Sequence, residues 1–370
     1  MRIKILHVIY SFDIGGLENG LVNLINYLPE KQFSHVVCVL SKGKKCAERV
    51  KKNAIYYELG KEDGNNFSIP FKIASIIRKE KIDIVHTRNW VSLVEGVLGG
   101  LLGGCRTLIH SEHGKEISDT LKQPVRRIIA KRICFKLVKK IITVSNFLKV
   151  ELINNSLCAS FKVKSIINGV DTRKFAFISE EEKIKFRKKY KIPESVFVIG
   201  SVGRLSKIKN YVQMVLLCND LRSNNSFFII AGDGPEKKSI EHEIKKFGLG
   251  NRFKLLGEQH FINEILSTFD IFVNTSHYEG ISNTILEAMS KGIPVIANSV
   301  GGTPEIIQNC STGYLIQENK QEDYICAIER LKKDKKLRLT MSEMSRRYVK
   351  QNFSLDKMVR EYKDVYLSAV

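Results

Sequence analysis

Strand-length apolar runs alternate with helix-length segments along the whole chain, and no other feature restricts the fold so tightly. In the first half the runs fall at about 2–9, 34–40, 54–58, 82–86, 106–111, 140–144 and 163–167. Helical segments are expected between them at about 16–28, 44–52, 69–80, 90–102, 122–138 and 146–156. Such runs suit strands buried on both faces, and an intervening helix returns the chain for parallel pairing. The second half repeats the order with FVIGSV, FFIIAG, FKLLG, DIFVN and PVIANS. A chain of 370 residues exceeds one ordinary core. The expectation is therefore α/β, with two Rossmann-like, doubly wound parallel-sheet domains at residues 1–171 and 195–352. Residues 172–194 are charged and weakly periodic, and are assigned as the linker; a helix at 353–370 ends the chain.

Composition narrows the class. Hydrophobic residues make up 43% and charged residues 27%, as in soluble globular proteins. Met1 leads directly into RIKILHVIY, so no signal peptide is expected. The most apolar stretch, Trp90 to Gly104, contains Glu95 and is too short to span a bilayer. The cysteines are scattered without a C-x-x-C pair, which argues for buried thiols in a reducing compartment. The net charge is +21, and residues 1–170 hold 28 of the 60 Lys and Arg but only 14 of the 39 Asp and Glu. That asymmetry calls for an anionic partner of the first half: a phospholipid surface, nucleic acid or a lipid diphosphate. No nucleic-acid motif is present and there is one Trp, so nucleic acid is disfavoured.

The most informative stretch is DIFVNTSHYEGISNTILE, Asp270 to Glu287. A strand empties into a polar turn, and a helix is expected from about Ser282, its N-cap. Glu279 and Glu287 bracket this corner, with Gly280, Ile281, Ser282 and Asn283 between them. Helix starts offer N–H groups and a positive dipole end to a phosphate, while flanking carboxylates accept bonds from sugar hydroxyls. The corner suits a nucleotide diphosphate between two polyol rings. Neither glutamate is expected in the core, so Ala at either position should leave the fold intact. The alternative is a solvated loop glutamate followed by a helix glutamate placed by the dipole.

Other polar clusters sit at predicted strand ends, which face the ligand crevice in open α/β sheets. Gly15 and Gly16 follow the first strand, and their turn could seat a phosphate or simply be tight. His86-Thr87-Arg88-Asn89 and His110-Ser111-Glu112-His113-Gly114 end the fourth and fifth strands, with Arg88 a candidate binding residue. Gly203 and Arg204 end FVIGSVGR, with Lys209 at the next helix start. An Arg fork and a Lys point charge suit a diphosphate. Gly232 and Gly234 punctuate the turn after FFIIAGDG. Helix 123–140 is basic and amphipathic, with Val125, Ile128, Ile129, Ile133 and Val138 as its apolar set. It either faces the core with a solvated basic back or docks on anionic lipid.

The spacing EGISNTILE, the following EAMSKGIPVIANSVGGTPEII, and the I-N-G-V-D segment at 167–171 resemble the retaining glycosyltransferases of family four. The resemblance covers nearly the whole chain and implies a GT-B fold with an interdomain cleft and a tail helix returning to the first domain. It further implies that Glu279 contacts the donor sugar, Glu287 holds the ribose, and Arg204 and Lys209 meet the diphosphate. His113 would lie beside the transferred sugar; a structural histidine at a strand end is the competing reading. HVIYSFDIGGLENGLVNLINYLP and DIVHTRN are similar to bacterial sugar transferases that build cell-surface polysaccharide. The implied donor is a UDP- or GDP-sugar, and the acceptor a glycan or polyprenyl-diphosphate-linked sugar. No cofactor or metal is expected, there being no D-x-D. The implied place is the cytoplasm, peripheral on the inner membrane face. A UDP-sugar 2-epimerase shares the architecture and stays open as an alternative.

Overall fold

All seven apolar runs of the first half become strands of one sheet in the computed structural model, which describes every residue except 1, 14, 44, 63, 65, 115–123, 156, 222–224 and 319. The strands are β1 Ile3–Ile9, β2 Phe33–Val39, β3 Ala54–Glu58, β4 Ile84–Arg88, β5 Thr107–Glu112, β6 Lys140–Thr143 and β7 Val163–Ser165. They pair in parallel in the order β3-β2-β1-β4-β5-β6-β7, so the sheet winds both ways from a switch point between β1 and β4. A second parallel sheet has the order β10-β9-β8-β11-β12-β13, with its switch point between β8 and β11. Its strands are β8 Phe197–Val202, β9 Ser226–Ala231, β10 Phe253–Leu255, β11 Ile271–Asn274, β12 Val295–Asn298 and β13 Gly313–Ile316.

The chain divides into two units, Met1–Gly169 with Leu355–Val370, and Val170–Ser354. Residues 172–194 are not a linker between them. They belong to the second unit and contain the helix Glu180–Lys189, started by a capping box between Ser179 and Glu182. What periodicity missed is an electrostatic anchor. Asp270 accepts bonds from Lys183 (2.5 Å), Arg187 (2.7 Å) and the Val198 amide (2.7 Å) in a mostly buried setting. A helix held by its charges shows little apolar pattern.

Each face of the first sheet has its own cover. Leu6, Val8, Val36, Val85, Leu108 and Ile141 point into a core roofed by helices α2 Ile69–Glu80, α3 Trp90–Leu102, α4 Val125–Leu137 and α5 Asn146–Asn154. Ile5, Phe33, Ile84, Ile109 and Ile142 point the other way, onto the final helix, Leu355–Ala369. That helix buries Leu355, Met358, Val359, Tyr362, Val365, Tyr366 and Ala369, a stripe at intervals of three and four that matches its 3.6-residue turn. The expected helix at 44–52 is a short 3-10 turn, Lys45–Arg49. Among the described residues no helix is long and apolar enough to cross a membrane.

Of the two readings of the basic helix, the one in which its whole apolar set faces the core is not met, although Val138 is buried and Ile128 half-buried. Val125, Ile129 and Ile133 are exposed, while Lys131, Cys134 and Phe135 are buried. The cause is Glu112 at the end of β5, whose buried carboxylate accepts from Lys131 Nζ at 3.0 Å. Burial alone would lift that carboxyl; Lys131 and His110 outweigh it and hold it at about 2. A buried ion cannot stand unpaired, so the helix turns Lys131 inward and Ile129 and Ile133 outward.

Candidate active site

In the second unit the functional groups collect where β8 and β11 end, on either side of the switch point. After β11 the chain runs Thr275-Ser276-His277-Tyr278-Glu279 before the helix Asn283–Ser290. Glu279 is 7% exposed, and its Oε1 accepts from Lys209 Nζ (2.6 Å), Ser276 Oγ (2.7 Å) and Asn274 Nδ2 (3.0 Å). Among the described residues Oε2 accepts none. Burial would raise this carboxyl, but Lys209 and the two neutral donors prevail and keep it below the usual carboxylate range. Glu279 is thus an anion at neutral pH with one oxygen fixed and the other available to a substrate hydroxyl.

The expectation that Glu279 lies outside the core is corrected. The residue is buried, and removing its side chain would strand a lysine, an amide and a hydroxyl. Asn298 Nδ2 donates to the Ser276 carbonyl at 3.0 Å. Tyr324 in turn donates to the Asn274 carbonyl (2.7 Å) and to Asn298 Oδ1 (2.9 Å). Thr275 Oγ1 bonds the carbonyls of Lys209 (3.1 Å) and Asn210 (2.9 Å), and the His277 amide donates to Ile208 at 2.8 Å. These bonds pin the Lys209 loop to the Glu279 turn. Asn274, Ser276, Asn298 and Tyr324 were missed in the sequence. The signal for the first three is neutral polar residues at the ends of apolar strands, in FVNTS and VIANS; Tyr324, on helix Gln321–Lys333, carries none.

Ser282 occupies the N-cap of helix 283–290, as expected, but makes no side-chain cap bond. Its hydroxyl lies 3.2 Å from Thr284 Oγ1 instead, leaving the helix start without a side-chain cap. Gly280, Ile281 and Ser282 are buried, Asn283 and Glu287 half-buried, and Arg204 is exposed just beyond β8. The glycines serve backbone contact. A Cβ on Gly232 (φ 151°) would stand 1.9 Å from the Gly203 carbonyl, and one on Gly234 (φ 158°) 2.4 Å from that of Leu205. They let the turn after β9 lie against the turn after β8, so their expected approach to a ligand becomes an approach to Gly203 and Leu205. Gly301 (φ 54°) does the same for Glu279, since a Cβ there would sit 1.9 Å from the Glu279 carbonyl. Gly301→Ala is expected to lower the unfolding free energy by about 2–3 kcal/mol, from backbone strain and displacement of the turn. Urea denaturation would measure it; a change within ±0.5 kcal/mol would show that the turn yields freely.

The first unit carries the remaining candidates. Gly15 is the N-cap of helix Gly16–Tyr27 with extended backbone, and a Cβ there would meet Glu18 Oε2 at 2.1 Å. A carboxylate therefore lies over the helix start where a phosphate was expected. Arg88 is corrected from a binding residue to an interior one, at 2% exposure. Strand alternation sends His86 and Arg88 to the same face, beneath Tyr362 and Tyr366. Arg88 Nη1 lies 3.2 Å from His7 Nδ1, and Nη2 lies 3.3 Å from His86 Nδ1. His86 Nδ1 is also 2.8 Å from the Tyr366 hydroxyl, while His7 Nε2 meets His35 Nδ1 at 3.0 Å. His113 follows β5; its amide donates to Asn89 Oδ1 at 2.9 Å, and its Nε2 is buried without a partner among the described residues. Burial first, then Arg88, pulls the His113 ring down to about 3, so it is neutral at physiological pH.

Residues 14–174 match the family described as Glycosyltransferase Family 4, and residues 182–348 match Glycosyl transferases group 1. The UDP-Gal:alpha-D-GlcNAc-diphosphoundecaprenol alpha-1,3-galactosyltransferase of Escherichia coli is 31% identical over 100% of this chain and 98% of its own.

The chain belongs to glycosyltransferase family 4.

Two solved structures, the first a glycosyltransferase, agree on the fold. One from Rickettsia africae ESF-5 superposes with a TM-score of 0.86 at 24% identity, over 100% of this chain and 98% of that one. HepE of Anabaena, in complex with UDP and glucose, gives a TM-score of 0.87 at 20% identity, over 99% of this chain and 100% of that one. This glycosyltransferase therefore has the GT-B fold, its two parallel sheets being the two Rossmann-like layers.

Proposed function

We propose that this glycosyltransferase moves a sugar from a UDP- or GDP-sugar to a glycan or polyprenyl-diphosphate-linked acceptor, in bacterial cell-surface polysaccharide synthesis and with retention at the anomeric carbon. The observation that carries the reading is the fixed Glu279–Lys209 pair beside an uncapped helix start at a sheet switch point. Lys209, Arg204 and the amides at 283–285 would take the diphosphate, Glu279 Oε2 a donor-sugar hydroxyl, and Glu287 the ribose. The Escherichia coli relative is named for a UDP-sugar donor and a diphosphoundecaprenol acceptor, which supports that pairing here.

In the proposed step the acceptor oxygen attacks the anomeric carbon on the face the diphosphate leaves from. The bond from that carbon to the diphosphate oxygen breaks as the new glycosidic bond forms, and the acceptor proton passes to the departing oxygen. Charge grows on the diphosphate, where fixed cations and amides are most effective. Neutral His113 would orient a sugar hydroxyl or stabilise the developing charge, an effect on rate more than on donor affinity. No protein nucleophile is needed, and the enzyme would work at the cytoplasmic face of a membrane.

A mass-spectrometric screen of sugar nucleotides tests the reading, with Glu287→Ala as its control. That variant is expected to bind the donor nucleotide about 10–100-fold more weakly, for a lost charge-assisted bond of roughly 1.5–3 kcal/mol. Transfer is expected to persist in chelator, because protein cations meet the diphosphate. An absolute need for added magnesium or manganese would refute that part.

A further inference from the structure

Where β4 passes into α3, Asn89 takes φ 58° and ψ 169°. Lys81 and Asn210, also at positive φ, keep ψ at 60° and 48°, the ordinary left-handed region. The Asn89 conformation lies instead in a region nearly reserved for glycine, and such backbone persists only where its surroundings over-determine it. The hydrogen bonds show what it accomplishes. The β4–β5 ladder ends at the pair Arg88 and Ser111, and the Asn89 amide adds one more bond, to the Ser111 carbonyl at 2.8 Å. A continued parallel ladder would next use the Asn89 carbonyl as acceptor for the His113 amide. That carbonyl has turned into α3, where the Ser92 amide meets it at 3.3 Å. The side chain takes its place: Asn89 Oδ1 accepts from the His113 amide at 2.9 Å, and makes no cap bond to its own helix. Ser92 Oγ fastens the turn from the other side, accepting from the Arg88 amide (2.8 Å) and donating to the Arg88 carbonyl (2.7 Å).

We propose, on the reading that His113 acts beside the transferred sugar, that Asn89 is a positioning residue: it holds the His113 backbone so that the imidazole meets the sugar in a fixed place. Glycine would carry the Asn89 backbone without strain, so what asparagine adds is its carbonyl. Beyond His113 the chain turns at Gly114, with φ 144°, so His113 sits between two fixed points of main chain. Its Nε2 is buried without a partner among the described residues, which leaves that nitrogen to a substrate hydroxyl. The direction of the ring is then set by the backbone that carries it. An error of about 1 Å at a reacting group can cost about a hundredfold in rate, which is what the strained turn prevents.

Steady-state kinetics on the UDP- or GDP-sugar that the wild type turns over test it, with UDP or GDP binding measured alongside. Asn89→Gly accepts the backbone and is expected to fold with a cooperative urea transition. It should lose about tenfold to a hundredfold in kcat, while nucleotide binding changes by less than about twofold. Asn89→Asp keeps an acceptor oxygen in the same place and should hold kcat within about threefold of wild type. In a His113→Ala background, Asn89→Gly should change kcat by less than about twofold, since the group it positions is gone. Wild-type kcat in Asn89→Gly overturns the proposal and leaves Asn89 as part of a turn alone. So does a loss in Asn89→Asp equal to that in Asn89→Gly, or an undiminished effect of Asn89→Gly in the His113→Ala background. The reading beneath it fails separately: a His113→Ala enzyme with wild-type kcat would remove His113 from the reaction, and the role of Asn89 with it.

Discussion

Acidification from about pH 7 to about pH 5 is expected to destabilise the first unit strongly while leaving the second near its neutral-pH stability. The first unit holds His7, His35, His86, His110 and His113 on or beside the central strands, and all five are pulled below the ordinary histidine value. Burial is the leading cause for each, and buried Arg88 opposes their protonation further. His35 and His113 are brought to about 3. In the unfolded chain these two rings accept protons near pH 6.5; in the folded unit they do so only near 3, so their stability contribution is complete above the first value and falls toward the second. Each such histidine costs about 1.4 kcal/mol per pH unit in that window, or roughly 2 kcal/mol at pH 5. His7, His86 and His110 act in the same direction, adding to the roughly 4 kcal/mol that His35 and His113 together lose by pH 5, a large share of the stability of a typical domain. In the second unit Glu279 and Asp270 are held low, so their contribution is lost only below the usual carboxylate range. The one Trp, Trp90, starts α3 and reports the first unit alone. A flat tryptophan-monitored urea midpoint between pH 7 and pH 5 would show that the histidines protonate without unfolding.

The second large effect is expected at Lys209. Lys209→Met should reduce transfer by about a thousandfold, the order of one preorganised charge-stabilising donor. It should also destabilise the second unit by about 3–5 kcal/mol at neutral pH, since Glu279 then remains buried without its cation. The sign of the pH effect separates this from simple loss of packing. With Lys209 absent, burial drives the Glu279 carboxyl upward, so protonation relieves the penalty and the gap to wild type narrows as pH falls. Glu279→Gln keeps the shape, accepts the same hydrogen bonds through its amide oxygen, and should lose transfer with a smaller cost in stability. A Lys209→Met protein with near-wild-type turnover would remove the lysine from the diphosphate site.

Fold and site were legible to different degrees, for physical reasons. Strands buried on both faces print as uninterrupted apolar runs, so the first sheet and five strands of the second could be read without contacts; β13, the four-residue GYLI opened by a glycine, was missed. Glu279, Lys209 and the turn between Glu279 and Glu287 were readable because helix starts and strand ends follow local rules. Arg88 and the α4 isoleucines were misjudged because burial of a charge depends on a distant partner. Lys131 enters the core only because Glu112, nineteen positions earlier, is already there. Arg88 enters it because two histidines and a tyrosine from the far end of the chain receive it. Helix 180–189 was taken for a linker for the same reason, its anchor being Asp270, more than eighty residues on.

The final helix gives the first unit an unusual birth order. Its sheet is complete by Ser165, yet on one face only the edge under helix Gly16–Tyr27 is covered until Leu355–Ala369 has been synthesised, with the whole second unit made in between. The second unit is one continuous stretch and can close as soon as it emerges, whereas the first must wait for the last residues of the chain. Ile5, Ile84, Ile109 and Ile142 are meanwhile open to water or to a chaperone. Even a short loss from the carboxyl end would thus fall on the oldest part of the nascent protein and leave the most recently made unit intact.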